Sequence, residues 1–516
     1  MNKQQLLTYI YEKYDVQNWE ISGIQIWPLI RVKLFLGLSI HEMSRGKKGK
    51  TKENVWQRLI INNFKKFISA LLMLLISFLD YKKNNEVNNE TIAIAGYYHL
   101  RNIKLSDGSF YNINFDPVID MLVQEKTRVK IFEYIIWPLV LNKFRRFPRH
   151  SASVLIGIKL FTIKMKSLLI CAEKQHLRFK QNCIHEYDIF RNDLIEKGIS
   201  SEYLYNHKEL CRVIDYVICL KNFYINNINA NTCKLGICAV DGAGLWNQAF
   251  FLACRELGIK TVELQHGIIN EDNIVFSNWK TNGIGYRNLP DYFFCWDKAS
   301  ADKINKWADR TKYHKAVVVG NLLHEVWGRN IGYEISLCKK KYHSSLHSIS
   351  KDFSRVILIS LQGDNIHFPK YLTDIFSMMT DILWVVRTHP TTSRCELIRV
   401  KSICCGRSNV YFDDGSFFPL LSWLDVIDLH VTGFSAIAIE ASWQGIPTIS
   451  VDQTGIVEEC FDDLFKKRYL KIAHTKEEFI MYLNTTTRYA KDTILDSGDG
   501  KMDFCEIVHN IINEAG

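Results

Sequence analysis

The most constraining feature of this chain is an alternation, run through twice, of short apolar stretches of strand length with amphipathic stretches of helix length. Residues 91–95, 235–240, 260–264, 291–296 and 316–319 read as strands, and 245–257 reads as a helix. A Lys/Ser/His-rich stretch at 338–352 interrupts the pattern, which then restarts. Strands are predicted at 356–361, 382–387, 410–412, 426–431 and 448–451, with helices at 371–379, 417–424, 435–444, 476–483 and 501–513. Strands spaced by helices pack as a parallel sheet covered on both faces. Two tandem Rossmann-like α/β domains are therefore predicted, over 91–337 and 353–516, joined by a linker at 338–352. The last helix, 501–513, is expected to cross back onto the first domain.

Residues 1–90 read as a helical, basic extension, closed by the polar run 82–90. Within it, residues 31–66 hold ten Lys and Arg against Glu42 and Glu53, contributing +8 of the chain's net +10. The rest of the protein is near neutral, which disfavours a nucleic-acid-coating role. Residues 67–79, FISALLMLLISFL, follow without a charge. As a helix they would span about 20 Å, short of a bilayer's roughly 30 Å hydrocarbon core. A basic segment beside a short apolar helix suits the anionic face of a cytoplasmic membrane; a core helix beside a solvated loop fits the same residues. The basic run 143–150 (KFRRFPRH) and the Lys-bearing stretch 151–166 read either as the lining of a groove for an anionic substrate or lipid phosphate, or as solvated helix faces. None of the 14 cysteines forms a CxxC pair and no signal-peptide pattern opens the sequence. Reduced thiols in a cytoplasmic protein, peripheral to the inner membrane, are the expectation.

The chemistry-bearing residues lie where strands stop. The strand at 235–240 runs into Asp241-Gly242-Ala243-Gly244, where the carboxylate reads as a base for a bound hydroxyl or as a helix N-cap. The strand at 260–264 ends in Gln265-His266-Gly267, a set suited to substrate contact or to a satisfied histidine in the fold. The strand at 382–387 ends in Arg387-Thr388-His389-Pro390, where the proline holds His389 extended; the motif reads as a ligand contact or as a turn that happens to contain a histidine. The strand at 426–431 ends in Thr432-Gly433-Phe434-Ser435 before a helix, which reads as a phosphate site or as serine capping. Glu440 follows on that helix within reach of a ribose hydroxyl.

In this order, VDG, QHG, THP and TGFSAIAIEASWQGIPTIS resemble bacterial glycosyltransferases of the two-Rossmann (GT-B) type that build capsule and lipopolysaccharide glycans. Sialyl- and polysialyltransferases and the capsule group that includes Kdo transferases are the nearest in motif, over about residues 91–472. The resemblance implies Asp241 as general base and His389 as phosphate ligand or leaving-group acid. It further implies Arg387, Pro390, Thr432, Gly433, Ser435 and Glu440 on the nucleotide-sugar donor, and Gly242, Gln265, His266 and Gly267 on the substrate. This chain departs from the pattern in having Val240 where those families place a first acid. A literal acidic pair, Asp413-Asp414-Gly415, follows His389 instead of preceding the motif, and reads as loop.

Such chemistry needs a base and a stabilised leaving phosphate. With no Asp-x-Asp at a strand end and no zinc-spaced Cys/His set, no metal and no other cofactor is expected. The expected partners are a nucleotide-sugar donor, CMP-sugar favoured, a glycan or lipid-linked glycan acceptor and the cytoplasmic membrane surface, with no nucleic acid. A polyol-phosphate transferase, a nucleotide-sugar epimerase and a non-catalytic glycan-assembly factor are the alternatives on the same architecture.

Overall fold

The computed structural model describes residues 3–45, 89–97, 101–123, 127–134, 149–150, 154–156, 181–239, 244–270, 275–362, 369–389, 392–415, 417–453, 455, 457–458, 461, 464, 466, 468–489 and 501–514. The first sheet holds Ile92–Tyr97 (β1), Val129–Tyr134 (β2), Val154–Ile156 (β3), Leu235–Cys238 (β4), Lys260–Leu264 (β5), Tyr292–Cys295 (β6) and Lys315–Val318 (β7). Their spatial order is β3-β2-β1-β4-β5-β6-β7. The second sheet holds Arg355–Ser360 (β8), Ile382–Arg387 (β9), Val410–Asp413 (β10), Leu429–Thr432 (β11), Thr448–Ser450 (β12) and Leu470–Ile472 (β13). It is ordered β10-β9-β8-β11-β12-β13. Every neighbouring pair in both sheets is parallel. Each sheet thus follows the doubly wound order 3-2-1-4-5-6, with one strand added at the end of the first. The α/β class with two Rossmann-like sheets is the observed architecture.

The sequence reasons for these strands are direct. In β8 (RVILIS) and β9 (ILWVVR) only the arginines escape burial, as expected of parallel strands covered on both faces. Between strands, helices start on side-chain caps. Asn206 and Glu209 form a reciprocal capping box on His207–Ile225, satisfying amide donors that a helix start leaves orphaned.

Three placements refine the domain picture. Helices Lys3–Lys13 and Trp27–Arg45 carry Leu6, Ile10, Trp27 and Leu34 into one apolar cluster with Phe132 of β2 and Phe250. The described part of the N-terminal segment therefore shares the first sheet's core. The stretch predicted as a linker is largely the helix Tyr333–Ser350, which buries Ile335, Cys338, Tyr342 and Leu346 along one face. The C-terminal helix Phe504–Glu514 does cross back: the Met502 amide donates to the Val318 carbonyl at 2.9 Å, and the Phe504 ring meets that of Phe294 at 6.0 Å. Residues 46–88, which include the apolar run 67–79, lie outside the described residues, as do 143–148 and 157–166. Among the described residues no helix is long and apolar enough to cross a membrane.

Each domain also buries one neutral histidine. His314 is bonded at Nδ1 to the Pro290 carbonyl (2.6 Å) and at Nε2 to the Tyr286 amide (2.9 Å). His430 bridges Ser360 Oγ (2.7 Å) and Thr448 Oγ1 (3.0 Å) across β8, β11 and β12. Desolvation holds both near a pKa of about 3, far below the ordinary 6.5 or so. An unfolded chain binds protons below about pH 6.5 that the native chain refuses, so stability is expected to fall as pH drops from there towards 3. Each histidine contributes a slope of up to about 1.4 kcal/mol per pH unit. Urea unfolding at pH 7, 6 and 5 checks this; a flat profile would mean that these rings take up protons in the native state.

Candidate active-site cleft

In open α/β sheets ligands bind beyond the carboxyl ends of the strands, at the point where strand order reverses. Here the C-terminal ends of β4, β5, β6 and β7 open onto a cavity of about 130 Å³. Its wall is built from Ala239, Gln265, His266, Trp296 and the turn Val319–Asn321, and Glu440 of the second domain closes the far side.

The turn after β7 depends on Gly320, whose φ of +81° a side chain would strain. Asn321 then caps helix Leu322–Gly328 by accepting from the amides of Leu323 (3.0 Å) and His324 (3.4 Å). That helix presents His324, whose Nε2 lies 2.7 Å from Glu440 Oε2 across the cleft. Both side chains are about 15% exposed, so the contact is largely shielded from solvent. The Trp443 ring meets His324 edge-on at 5.1 Å and Trp296 at 5.7 Å. An aromatic, hydrogen-bonded seam thus joins the domains beside the cavity.

The residues singled out in the sequence separate into three groups. Gln265, His266 and Glu440 line the one cavity. Within it Gln265 is mostly committed: its amide donates to the Gly267 carbonyl (2.8 Å) and Ser300 Oγ (3.1 Å), and its oxygen accepts from the Trp296 amide (2.7 Å). His266 is exposed, with its ring 6.2 Å from that of Phe276.

A second group sits at the carboxyl ends of β8, β9 and β11, beyond that cavity's lining. Thr432 donates to the Ser360 carbonyl (3.0 Å) and accepts from the Ser435 amide (3.3 Å); Ser435 Oγ accepts from the Ile437 amide (3.3 Å). Helix Ile437–Ser442 is only six residues long. Arg387 is held by the Asp413 carboxylate and the Phe418 carbonyl (3.0 Å). Asp413 itself is the last residue of β10 and 3% exposed, where the sequence reading had placed a loop. His389 is exposed at the mouth of β9, yet the surrounding protein lowers its pKa by desolvation. Nearby, Gln362 Oε1, Thr388 Oγ1 and Thr392 Oγ1 are buried without a hydrogen-bond partner. Gln362 stands opposite Gly433 at the switch point between β8 and β11, 4.0 Å from where a Cβ would be. Buried polar atoms left unpaired are rare and mark candidate ligand positions.

Asp241, Gly242 and Pro390 form the third group, outside the described residues. The sequence reading missed His324, Trp296 and Trp443. A signal for His324 existed, since Gly320-Asn321 ends β7 much as Gly267 follows β5.

No family model and no curated relative matches the chain. Among solved structures it is similar to UDP-GlcNAc 2-epimerase from Neisseria meningitidis bound to UDP-GlcNAc, at 12% identity and a TM-score of 0.49 over 82% of this chain and 99% of that one. It is also similar to MnaA of Staphylococcus aureus with UDP, at 13% identity and a TM-score of 0.47 over 82% and 96%. A third is the wall teichoic acid polymerase TagF, at 10% identity and a TM-score of 0.45 over 88% and 97%.

Proposed function

We propose that this chain is a glycosyltransferase that moves a sugar from a nucleotide-sugar donor, CMP-sugar favoured, onto a growing surface glycan of the capsule or lipopolysaccharide type. One observation carries the reading: an imidazole of the first domain, His266, and a carboxylate of the second, Glu440, line a single cavity where two Rossmann sheets end their strands. In this reading the first domain receives the acceptor and the second holds the donor. The acceptor hydroxyl loses its proton to a base at the first-domain wall, attacks the anomeric carbon from the face opposite the phosphate, and the nucleotide leaves with inversion. His266 is the base that the described geometry favours; Asp241 follows Ala239, a lining residue, by two positions and is the alternative.

Donor contacts on the second domain are proposed at Glu440, Gln362, Thr388 and His389, with Pro390, Gly433 and Ser435 shaping the loops. The buried, unpaired oxygens of Gln362 and Thr388 support this, because a bound donor would supply their missing partners. A cavity of about 130 Å³ is below the roughly 300–1,000 Å³ usual for ligand pockets. A donor diol taken up by Glu440 must therefore displace or share the His324 contact as the cleft opens. We further propose that the basic N-terminal segment docks the enzyme on the cytoplasmic membrane face, where a lipid-linked acceptor would be presented.

A thermal-shift panel of CMP, CDP, UDP, GDP and their sugars tests the reading. Ligand at about 100 Kd stabilises by roughly 2.7 kcal/mol. A CMP-selective shift is the expected result, with Glu440→Gln lowering affinity at least about tenfold. A shift with UDP or GDP keeps the transferase and discards the CMP preference; no shift with any nucleotide overturns the enzymatic reading.

A further inference from the structure

Arg31 is a charged side chain buried without a counter-ion. It lies on helix Trp27–Arg45, is 1% exposed, and has no carboxylate partner among the described residues. All its contacts are neutral. Nη1 donates to the Tyr11 hydroxyl (2.5 Å) and the Asn278 carbonyl (3.1 Å), and Nη2 to the Ser277 carbonyl (2.5 Å). The guanidinium carbon sits 4.0 Å from the centre of the Trp279 ring, a favourable cation–π position. Nε has no partner. A buried charge without a counter-ion destabilises a fold relative to an apolar side chain of the same shape. Stability of the N-terminal core is therefore a poor account of an arginine here.

What the guanidinium does hold is a bend. Asn278 has φ +57°, a left-handed conformation uncommon outside glycine, and its carbonyl and that of Ser277 both point at Arg31. From this bend the connections lead to the cleft. Ser277 Oγ donates to the Asn270 carbonyl at 2.7 Å, four residues beyond His266. Phe276, whose carbonyl accepts from Trp307 Nε1 (2.7 Å), sets its ring beside that of His266.

We propose that Arg31 is a positioning residue for His266: by fixing the Ser277–Asn278 bend it sets Phe276 and Asn270, and through them the place of the imidazole on the cavity wall. The role ties the N-terminal helices to the reacting end of β5. It rests on the proposed reading of His266 for its catalytic consequence, but not for its structural one.

The experiment compares the full-length protein with Arg31→Met, Arg31→Lys and Ser277→Ala. The readouts are the ¹⁵N resonances and titration of the His266 imidazole, assigned with His266→Asn, and the pH dependence of turnover with the donor that the nucleotide panel selects. Arg31→Met is expected to move the His266 resonances and titration, and to lower kcat about tenfold or more with nucleotide affinity within twofold. Arg31→Lys, which keeps a cationic donor, is expected to recover most of both. Ser277→Ala cuts the link beyond the guanidinium and is expected to shift the same resonances by less. It keeps the test standing should Arg31→Met fail to fold. Unmoved His266 resonances in every variant that folds would overturn the proposal. Should His266→Asn turn over normally, the base assignment fails, and Arg31 is still judged by the resonances alone.

Discussion

Replacing His266 by asparagine is expected to lower turnover by about 10²–10⁴-fold, the usual contribution of a positioned base, with nucleotide binding kept within about threefold. The separation follows from placement. His266 stands just past the end of β5 on the first-domain wall, whereas the proposed donor contacts belong to the second domain, on helix Ile437–Ser442 and beyond the ends of β8 and β9. Removing a proton acceptor from the acceptor side therefore leaves the donor's partners in place. Asn keeps the polarity and much of the ring's volume, so its effect reads on proton transfer more than on packing. Asp241→Asn is the paired measurement. A loss of about a hundredfold there, with His266→Asn active, would return the base to the carboxylate that the sequence motif implied; loss in both would mean that the two groups act on one proton.

Much of the architecture was legible because a parallel sheet writes itself as separated apolar runs. β5 and β9 were read to the residue, and most other strands to within one or two. Three strands of the two sheets escaped: β3, only the three residues VLI within the Lys-bearing stretch 151–166, and β2 and β13, whose apolar runs are interrupted by charged residues. β2 is VKIFEY, and its Glu133 is fully buried although Glu is a surface residue by type. β13 is LKI, with Lys471 between two buried residues. The helix Tyr333–Ser350 was hidden by its Lys/Ser/His surface, although Ile335, Cys338, Tyr342 and Leu346 recur at helical spacing.

For the cavity, the end of β5 pointed to Gln265 and His266 and the helix after β11 to Glu440, and all three line it. Strand ends did not tell which polar groups look into the cleft and which are spent on the fold. Thr432 and Arg387 read as ligand contacts because a hydroxyl or guanidinium at a strand end carries the same signature whichever way it is committed. The His324–Glu440 contact spans 116 positions in sequence. Only the packing of one domain on the other creates it.

The second large effect is expected from Asp413. Its carboxylate takes the Arg387 guanidinium, accepts from Trp423 Nε1 at 2.8 Å and from the Gly415 amide at 2.8 Å, and is 2% exposed against 13% for the arginine. The two residues are direct partners in the β9–β10 ladder, so the pair fastens the sheet's edge strand where it meets the turn into His389. Asp413→Ala leaves the guanidinium with the Phe418 carbonyl but no counter-charge, and the indole donor without its acceptor. Breaking such a pair from one side costs about 3–5 kcal/mol, a large share of the 5–15 kcal/mol typical of a domain. Urea unfolding of the variant is expected to show that loss, and a change below about 1 kcal/mol would mean that water replaces the carboxylate. Arg387→Met combined with Asp413→Leu removes both charges, so it should recover much of the stability, since the desolvation cost disappears along with the attraction. If that double variant is stable but binds nucleotide weakly, the ion pair's role is to hold the β9 turn, and His389 with it, in register for the donor. If it binds normally, the pair serves the sheet alone, and His389 owes its position to the loop that follows.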